Sequence, residues 1–413
     1  MKNSHDPYLA LRFRNFRILL TGTFFANMGE QMINIAIGWE LYERTGSALA
    51  LGIVGLVQVI PVFILSLPAG QIIDRFNRKR IVMLSQLVFM LSSLGLTVLS
   101  LTHGSLLLIY ACLLLFGCAA AFNSPASAIL VAQIVPENAF ENAATWESSA
   151  GQLASVLGPA LGGLVIALLN SAALVYALNA GAAVIFIALL LFLRIEQGKK
   201  HIIEATTLGA MAEGLRFLRS SQVILAAITL DMFAVFLGGA TALLPIFAKD
   251  ILHVGPAGLG WLRAAPSIGA LCMSFITAHT PPFKKAGRTL LSVVACFGAA
   301  TIIFGISRSF WLSLLMLFLL GAMDNISVVI RSTLLLIRTP DALRGRISAI
   351  NFIFVGASNE FGGFESGLAA QFFGPVMAVA AGGIGTILVV LCVALLWPEM
   401  RHLGALSENK TSQ

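Results

Sequence analysis

The chain has 413 residues, of which 58% are hydrophobic and 11% charged, and its net charge is +7. A soluble domain carries about 25% charged residues, so no water-soluble packing hides this much apolar surface. Five scattered cysteines (Cys112, Cys118, Cys272, Cys296, Cys392) sit in apolar segments without metal-ligand spacing; they read as small packing residues, and no disulfide framework, metal or cofactor is expected.

In chain order, a polar start with Arg12, Arg14 and Arg17 leads into a long hydrophobic stretch without a small-residue cleavage site, which reads as a retained first span. A span needs about 20 apolar residues. Stretches of that kind predict twelve helices over 16–42, 48–70, 81–102, 105–132, 142–167, 172–193, 222–248, 257–279, 289–306, 310–337, 347–369 and 374–397. Turns are expected at His103 and at Asn170-Ser171, because the uncharged run from Ser148 to Leu193 is too long for one helix.

With both termini cytoplasmic, 21 of the 26 basic residues fall on the inner side, among them Arg75, Arg78, Lys79, Arg80, Arg288 and Arg401. Only Arg44, Lys249 and Arg308 fall outside, while Arg263 and Arg331 stay within or near spans. The positive-inside rule therefore sets the orientation, and the net charge calls for no nucleic acid partner. The longest hydrophilic connection divides the chain into an N-terminal six-helix half (1–193), a linker with a short amphipathic segment (194–221) and a C-terminal half with a tail (222–413). A shift of 204 residues carries Gly117 onto Gly321, Pro136 onto Pro340, Glu137 onto Asp341, Gly158 onto Gly362, Gly163 onto Gly367, Leu164 onto Leu368 and Asn27 onto Asp231. Internal repeats of this kind are a common build of secondary transporters.

After the second span comes Gly70-Gln-Ile-Ile-Asp74-Arg75-Phe-Asn77-Arg78-Lys79-Arg80: a glycine for close helix approach, a carboxylate at the membrane edge and basic anchors at the headgroups. The string resembles the loop signature of the major facilitator superfamily. Asn77 stands where that family more often has glycine, a position favouring left-handed backbone, which asparagine tolerates. Gly158-Pro159-Ala160-Leu161-Gly162-Gly163 in the fifth span resembles the superfamily's antiporter signature, although its upstream glycines are only partly present. The seventh span from Leu230 to Pro245, the tenth from Gly321 to Thr333, and Pro340-Asp341-Ala-Leu-Arg344-Gly345-Arg346 are similar to the branch that includes the enterobactin exporter. The resemblance covers nearly the whole chain. It implies an all-α fold of twelve transmembrane helices in two pseudo-symmetric six-helix bundles, a central cavity, alternating access, and efflux of a small molecule from a bacterial cytoplasmic membrane coupled to proton entry.

A charge near the bilayer centre costs about 2.5–3.5 kcal/mol on insertion scales, so each ionisable residue inside a span needs a reason. Asn27, Glu30, Gln31 and Asn34 follow the three-and-four spacing of one helical face, with Glu30 about 20 Å along the helix from Arg17. Asp231 lies about 15 Å into the seventh span. Asp324 and Arg331 are seven residues apart on nearly one face and could form a locking ion pair. The fourth span offers Asn123, Ser124 and Ser127, and the eleventh Asn351, Ser358, Asn359, Glu360 and Glu365.

The resemblance makes the first, fourth, seventh and tenth spans cavity-lining. Glu30, Asp231 and Asp324 are then the proton-coupling candidates, and Asn27, Gln31, Asn34, Asn123, Ser127, Arg331, Asn359 and Glu360 the substrate-cavity candidates. Gly70, Asp74, Arg75 and Arg78 are expected to form a latch, Asp74 meeting the start of the eleventh helix near Arg344 and Arg346, where helix dipole and cations both attract an anion. Glu147 reads as interfacial.

The six histidines sit in tails, loops or span ends with no paired ligand motif, which speaks against an enzyme. A channel or a sensory membrane protein is disfavoured by the two-half repeat, and proton-coupled uptake of a metabolite is the alternative to export. Acidic groups with apolar walls suit amphipathic or cationic drugs, as in multidrug resistance, while Arg331 would also suit an anionic siderophore. The expected partners are the substrate, protons and the lipid bilayer, and the expected state is a monomer.

Overall fold

The computed structural model describes residues 6–193, 213, 216–219, 221–281 and 283–404, so most of the 194–221 linker and its amphipathic segment lie outside the described residues. Helices follow one another in chain order as α1 (Arg14–Thr45), α2 (Ala48–Arg75), α3 (Arg78–Leu101), α4 (Leu106–Ile134), α5 (Phe140–Leu169) and α6 (Ala173–Phe192). After the linker come α7 (Gln222–Leu237), α8 (Gly255–His279), α9 (Ala286–Ile306), α10 (Phe310–Arg338), α11 (Asp341–Phe373), α12 (Pro375–Leu396) and a short α13 (Pro398–His402). Ten helical segments among the described residues are long and apolar enough to cross a membrane. Two further helices, α1 with 32 residues and α11 with 33, have the length but carry the polar stripes read from the sequence.

The expected turns form where the sequence places them. His103 and Asn170 adopt positive φ of 49° and 50°, a conformation that asparagine tolerates better than most residues. The 204-residue register is visible in the structure: it carries α4 onto α10 end for end, and it carries the left-handed Asn170 onto Gly374, which has φ 82°. Helix pairing repeats as well, α3 packing on α4 and α6 as α9 packs on α10 and α12.

Two differences from the sequence reading have physical causes. The seventh span is not one continuous helix. After Leu237 it passes through a 3-10 turn (Ala240–Leu243), a single α-turn (Leu244–Ile246) and a π-turn (Phe247–Ile251). Gly238-Gly239 and Pro245 weaken the α ladder there, and a Cβ at Gly239 would stand 2.5 Å from the Gly362 carbonyl oxygen, so α11 passes too closely for a side chain. Asn77, expected in left-handed backbone, instead has φ −69° and ψ 116° and caps α3, its side-chain oxygen accepting from the Arg80 N–H at 3.4 Å. An extended residue with a short polar side chain is the preferred N-cap.

The chain divides into two compact units, Met1–Glu40 with Val57–Ala205 and Leu41–Leu56 with Thr206–Gln413. In the first unit Phe16, Leu19, Ile73, Val82, Leu130 and Phe186 form a buried core. In the second, Leu230, Leu290, Val294, Ile330 and Leu334 do so. The end of α1 and the start of α2 belong to this second unit, where the Tyr42 hydroxyl donates to Asp250 and Ser47 Oγ to Gln371 Oε1 at 3.0 Å. Gly367 closes this seam, since a Cβ there would lie 2.9 Å from the Gly52 Cα.

Candidate functional site

In the first unit the predicted polar face of α1 opens on a cavity of about 290 Å³. Asn27, Glu30 and Gln31 line it from α1, and Ser148, Gln152 and Ser155 from α5. Asn27 and Glu30 are exposed and Gln31 half-buried, so the Glu30 side chain opens on this cavity and is not enclosed in close packing. The α5 residues were missed in the sequence; their spacing of four and three is the helical-face signal that marked α1, set on an otherwise apolar span.

The glycines of the antiporter-like signature set the distance between these two helices. A Cβ at Gly158 would lie 2.6 Å from the Gln31 Cβ and 2.8 Å from the Met28 carbonyl oxygen, and one at Gly162 would lie 3.2 Å from the Met32 Cα. Gly163 and Pro159 are buried beside them. Gly158→Val should therefore push α5 from α1 at the level of Glu30. We expect a loss of about 1–3 kcal/mol from overpacking, read as a lower unfolding midpoint of the detergent-purified protein, together with a collapse of transport.

Elsewhere in this unit Asn123 accepts from the buried Gln86 amide at 3.3 Å, which ties it to α3, while Ser127 Oγ is buried without a partner among the described residues. Asn34 is half-buried. Glu40 escaped the sequence reading because it falls at the end of the first predicted span. It is buried and accepts a hydrogen bond of 2.8 Å from the Tyr176 hydroxyl, itself fully buried.

The second unit repeats the geometry with different chemistry. Asp231, Ala234 and Val235, which the 204-residue register pairs with Asn27, Glu30 and Gln31, line a cavity of only about 10 Å³, space for about one water. Asp324 and Ser327 complete it from α10, with Val293, Val294 and Phe297 from α9. Arg331 makes its ion pair with Asp231 and not with Asp324. The reason is reach: seven residues separate Asp324 and Arg331 by about 10 Å along α10, whereas α7 packs alongside. Asp231 and Arg331 are 5% and 4% exposed, so the guanidinium is engaged with Asp231 and is not held free for an anionic substrate.

Arg263, unassigned in the sequence, interacts electrostatically with Glu360, and its Nη1 donates to the Thr241 carbonyl at 3.3 Å. Asn359 is exposed and donates to its own helix at Val355. Glu147 is half-buried. No group of His, Cys, Asp and Glu among the described residues is arranged to hold a metal.

In the signature loop Asp74 is half-buried, Arg75 exposed, and Arg78 half-buried with its Nε unpartnered among the described residues. Among the described residues nothing lies within 4 Å of a Cβ placed at Gly70. Lys79 does what the sequence did not foretell: its ammonium donates to the Leu193 and Leu191 carbonyls at 2.8 and 3.4 Å and so caps the end of α6, where a cation meets the helix dipole. Arg346 pairs with Glu213, and Arg344 Nε donates to the Leu336 carbonyl at 3.2 Å.

Among known proteins, the multidrug efflux pump Tap of Mycolicibacterium fortuitum is 25% identical over 402 residues, covering 95% of this chain and 97% of that protein. The enterobactin exporter EntS of Escherichia coli strain K12 is 24% identical over 395 residues, with coverage of 94% and 92%. Two solved structures share the fold: a POT family transporter in complex with 5-aminolevulinic acid (TM-score 0.74, 13% identity, 94% of this chain and 96% of that one) and a bacterial homolog to the human lysosomal transporter Spinster (TM-score 0.70, 13% identity, 94% and 96%). Since residues 5–412 match the transmembrane secretion effector family, this chain, a multi-pass membrane transporter and not an enzyme, belongs to that family of the major facilitator superfamily.

Proposed function

We propose that this transporter exports small amphipathic molecules, siderophores or drug-like compounds, across a bacterial cytoplasmic membrane in exchange for protons, by alternating access, with both termini cytoplasmic. The observation that carries the reading is Glu30, an acidic side chain exposed in a polar cavity part-way along a membrane helix. A carboxylate at such depth persists only where water, a partner or a proton offsets its charge. Asn27, Gln31, Gln152 and Ser155 surround it with donors and acceptors able to hold a polar substrate group. The export direction and the two substrate classes are supported by the likeness to an efflux pump and to a siderophore exporter.

Reconstituted vesicles with an imposed pH gradient test the coupling. Glu30→Gln should insert and bind substrate yet lose nearly all gradient-driven export while keeping substrate exchange at zero gradient. Undiminished gradient-driven export would remove Glu30 from the coupling role. A deletion strain profiled for retained compounds, with and without iron limitation, separates the two substrate classes.

A further inference from the structure

The second unit carries a basic groove that the transport reading does not use. It is open, has a volume of about 530 Å³, and is lined by Arg288, Leu291, Ser292 and Ala295 of α9, Val390 of α12, and Arg401 and His402 of α13. Arg288 stands in the first turn of α9, and Arg401 follows α12 by five residues, so the groove lies where two spans meet one membrane border.

The groove is built by the fold and is not a chance cluster of surface cations. The segment after α12 is strapped to the start of α9: the Ala286 and Gly287 N–H groups donate to the Gly404 and Leu403 carbonyls, both at 3.4 Å, and Arg288 Nε donates to the Arg401 carbonyl at 3.2 Å. Met400 is fully buried beneath the strap. A Cβ at Gly287 would stand 1.8 Å from the Met400 carbonyl oxygen, so only glycine lets the strap sit this close. The outcome is three basic side chains, all exposed, at the head of a groove whose walls are apolar.

Below the head the apolar wall continues. Ser292, Cys296 and Ile303 extend the exposed face of α9, and Ile384, Leu388 and Leu391 that of α12. On spanning helices such faces meet acyl chains. Among the described residues no acidic one lines the groove. Cations above an apolar trough at the bilayer border match one chemistry, a phosphodiester anion carrying acyl chains.

We propose that this groove binds the headgroup of an anionic phospholipid, with Arg288, Arg401 and His402 around the phosphate and an acyl chain laid along Leu291, Ala295 and Val390. The proposal rests only on the chain spanning a bilayer and is independent of its cargo.

The test is native mass spectrometry of the full-length protein in an uncharged detergent, titrated with dioleoylphosphatidylglycerol, with dioleoylphosphatidylethanolamine and with inorganic phosphate in separate arms. A saturable adduct is expected with phosphatidylglycerol and neither with the zwitterionic lipid nor with phosphate. Arg288→Gln with Arg401→Gln should weaken it about thirty-fold, at about fivefold for each cation removed near a membrane surface. Ser292→Trp, which fills the exposed groove without changing its charge, should abolish it and decides the matter if the double variant has a lowered unfolding midpoint without lipid. Equal binding by the charge variant and by Ser292→Trp, equal binding of the zwitterionic lipid, or displacement by phosphate alone would overturn the proposal.

Discussion

Replacing Arg331 with methionine should cost the protein about 3–5 kcal/mol, the usual penalty for leaving one member of a buried ion pair behind. Asp231 would then be a buried carboxylate without its cation, and it shares a one-water cavity with a second acid, Asp324. Two like charges in that space add repulsion to lost solvation. The change should appear as a lower unfolding midpoint in detergent and a lower folded yield, both insensitive to salt, because buried pairs are little screened. Asp231→Leu combined with Arg331→Met should recover most of the loss, since replacing a whole buried pair with apolar residues of similar volume is often neutral or better. Asp324→Asn should rescue Arg331→Met in part, by removing the repulsion and not the vacancy. A single Arg331→Met protein as stable as the parent would show that the pair does not hold α7 to α10.

That pairing also marks where the sequence stops being informative. Periodicity, turn residues and the 204-residue register describe what is local along the chain, and they locate His103, Asn170 and the equivalence of α4 with α10. They place Asn27, Glu30 and Gln31 on one face, and the structure finds those three together on one cavity. Partner choice depends instead on which helices touch. Asp324 and Arg331 share a helix face, yet the guanidinium reaches across to Asp231 because the neighbouring helix is nearer than two turns of its own.

The break in the seventh span was hidden for a related reason. Gly238-Gly239 is compatible with a continuous membrane helix, and that α11 passes so closely that a Cβ at Gly239 would stand 2.5 Å from the Gly362 carbonyl oxygen is a tertiary fact. Glu40 drew no notice in the sequence because hydropathy marks where lipid stops, not where protein packing continues; the Tyr176 hydroxyl that donates to it comes from a helix more than a hundred residues away. Gly158 is a different case. Its signature pointed to close packing, but which backbone it meets, and that this backbone carries Glu30, is set by how α5 packs on α1.

The charges of the second unit lead to the other large effect, in transport and not in stability. Asp231 has its cation, and the residues lining its cavity offer none for Asp324. A carboxylate in a space of about one water, with Val293, Val294 and Phe297 as walls, has a charge that costs several kcal/mol, and a proton removes that cost. Of the two coupling candidates in this unit, Asp231 is tied to Arg331, which its loss would strand, so we propose Asp324 for the coupling role. Asp324→Asn mimics the protonated acid without disturbing the ion pair, so the variant should fold and insert like the parent. It should exchange substrate across vesicles at equal pH on both sides but fail to concentrate it against a gradient when a pH difference is imposed. Asp231→Asn should instead lose folded yield first, with whatever activity remains still driven by the gradient. Gradient-driven export by Asp324→Asn at the parent rate, or loss of equal-pH exchange together with the driven flux, would each deny Asp324 the coupling role and leave Glu30 as the acid that carries the proton.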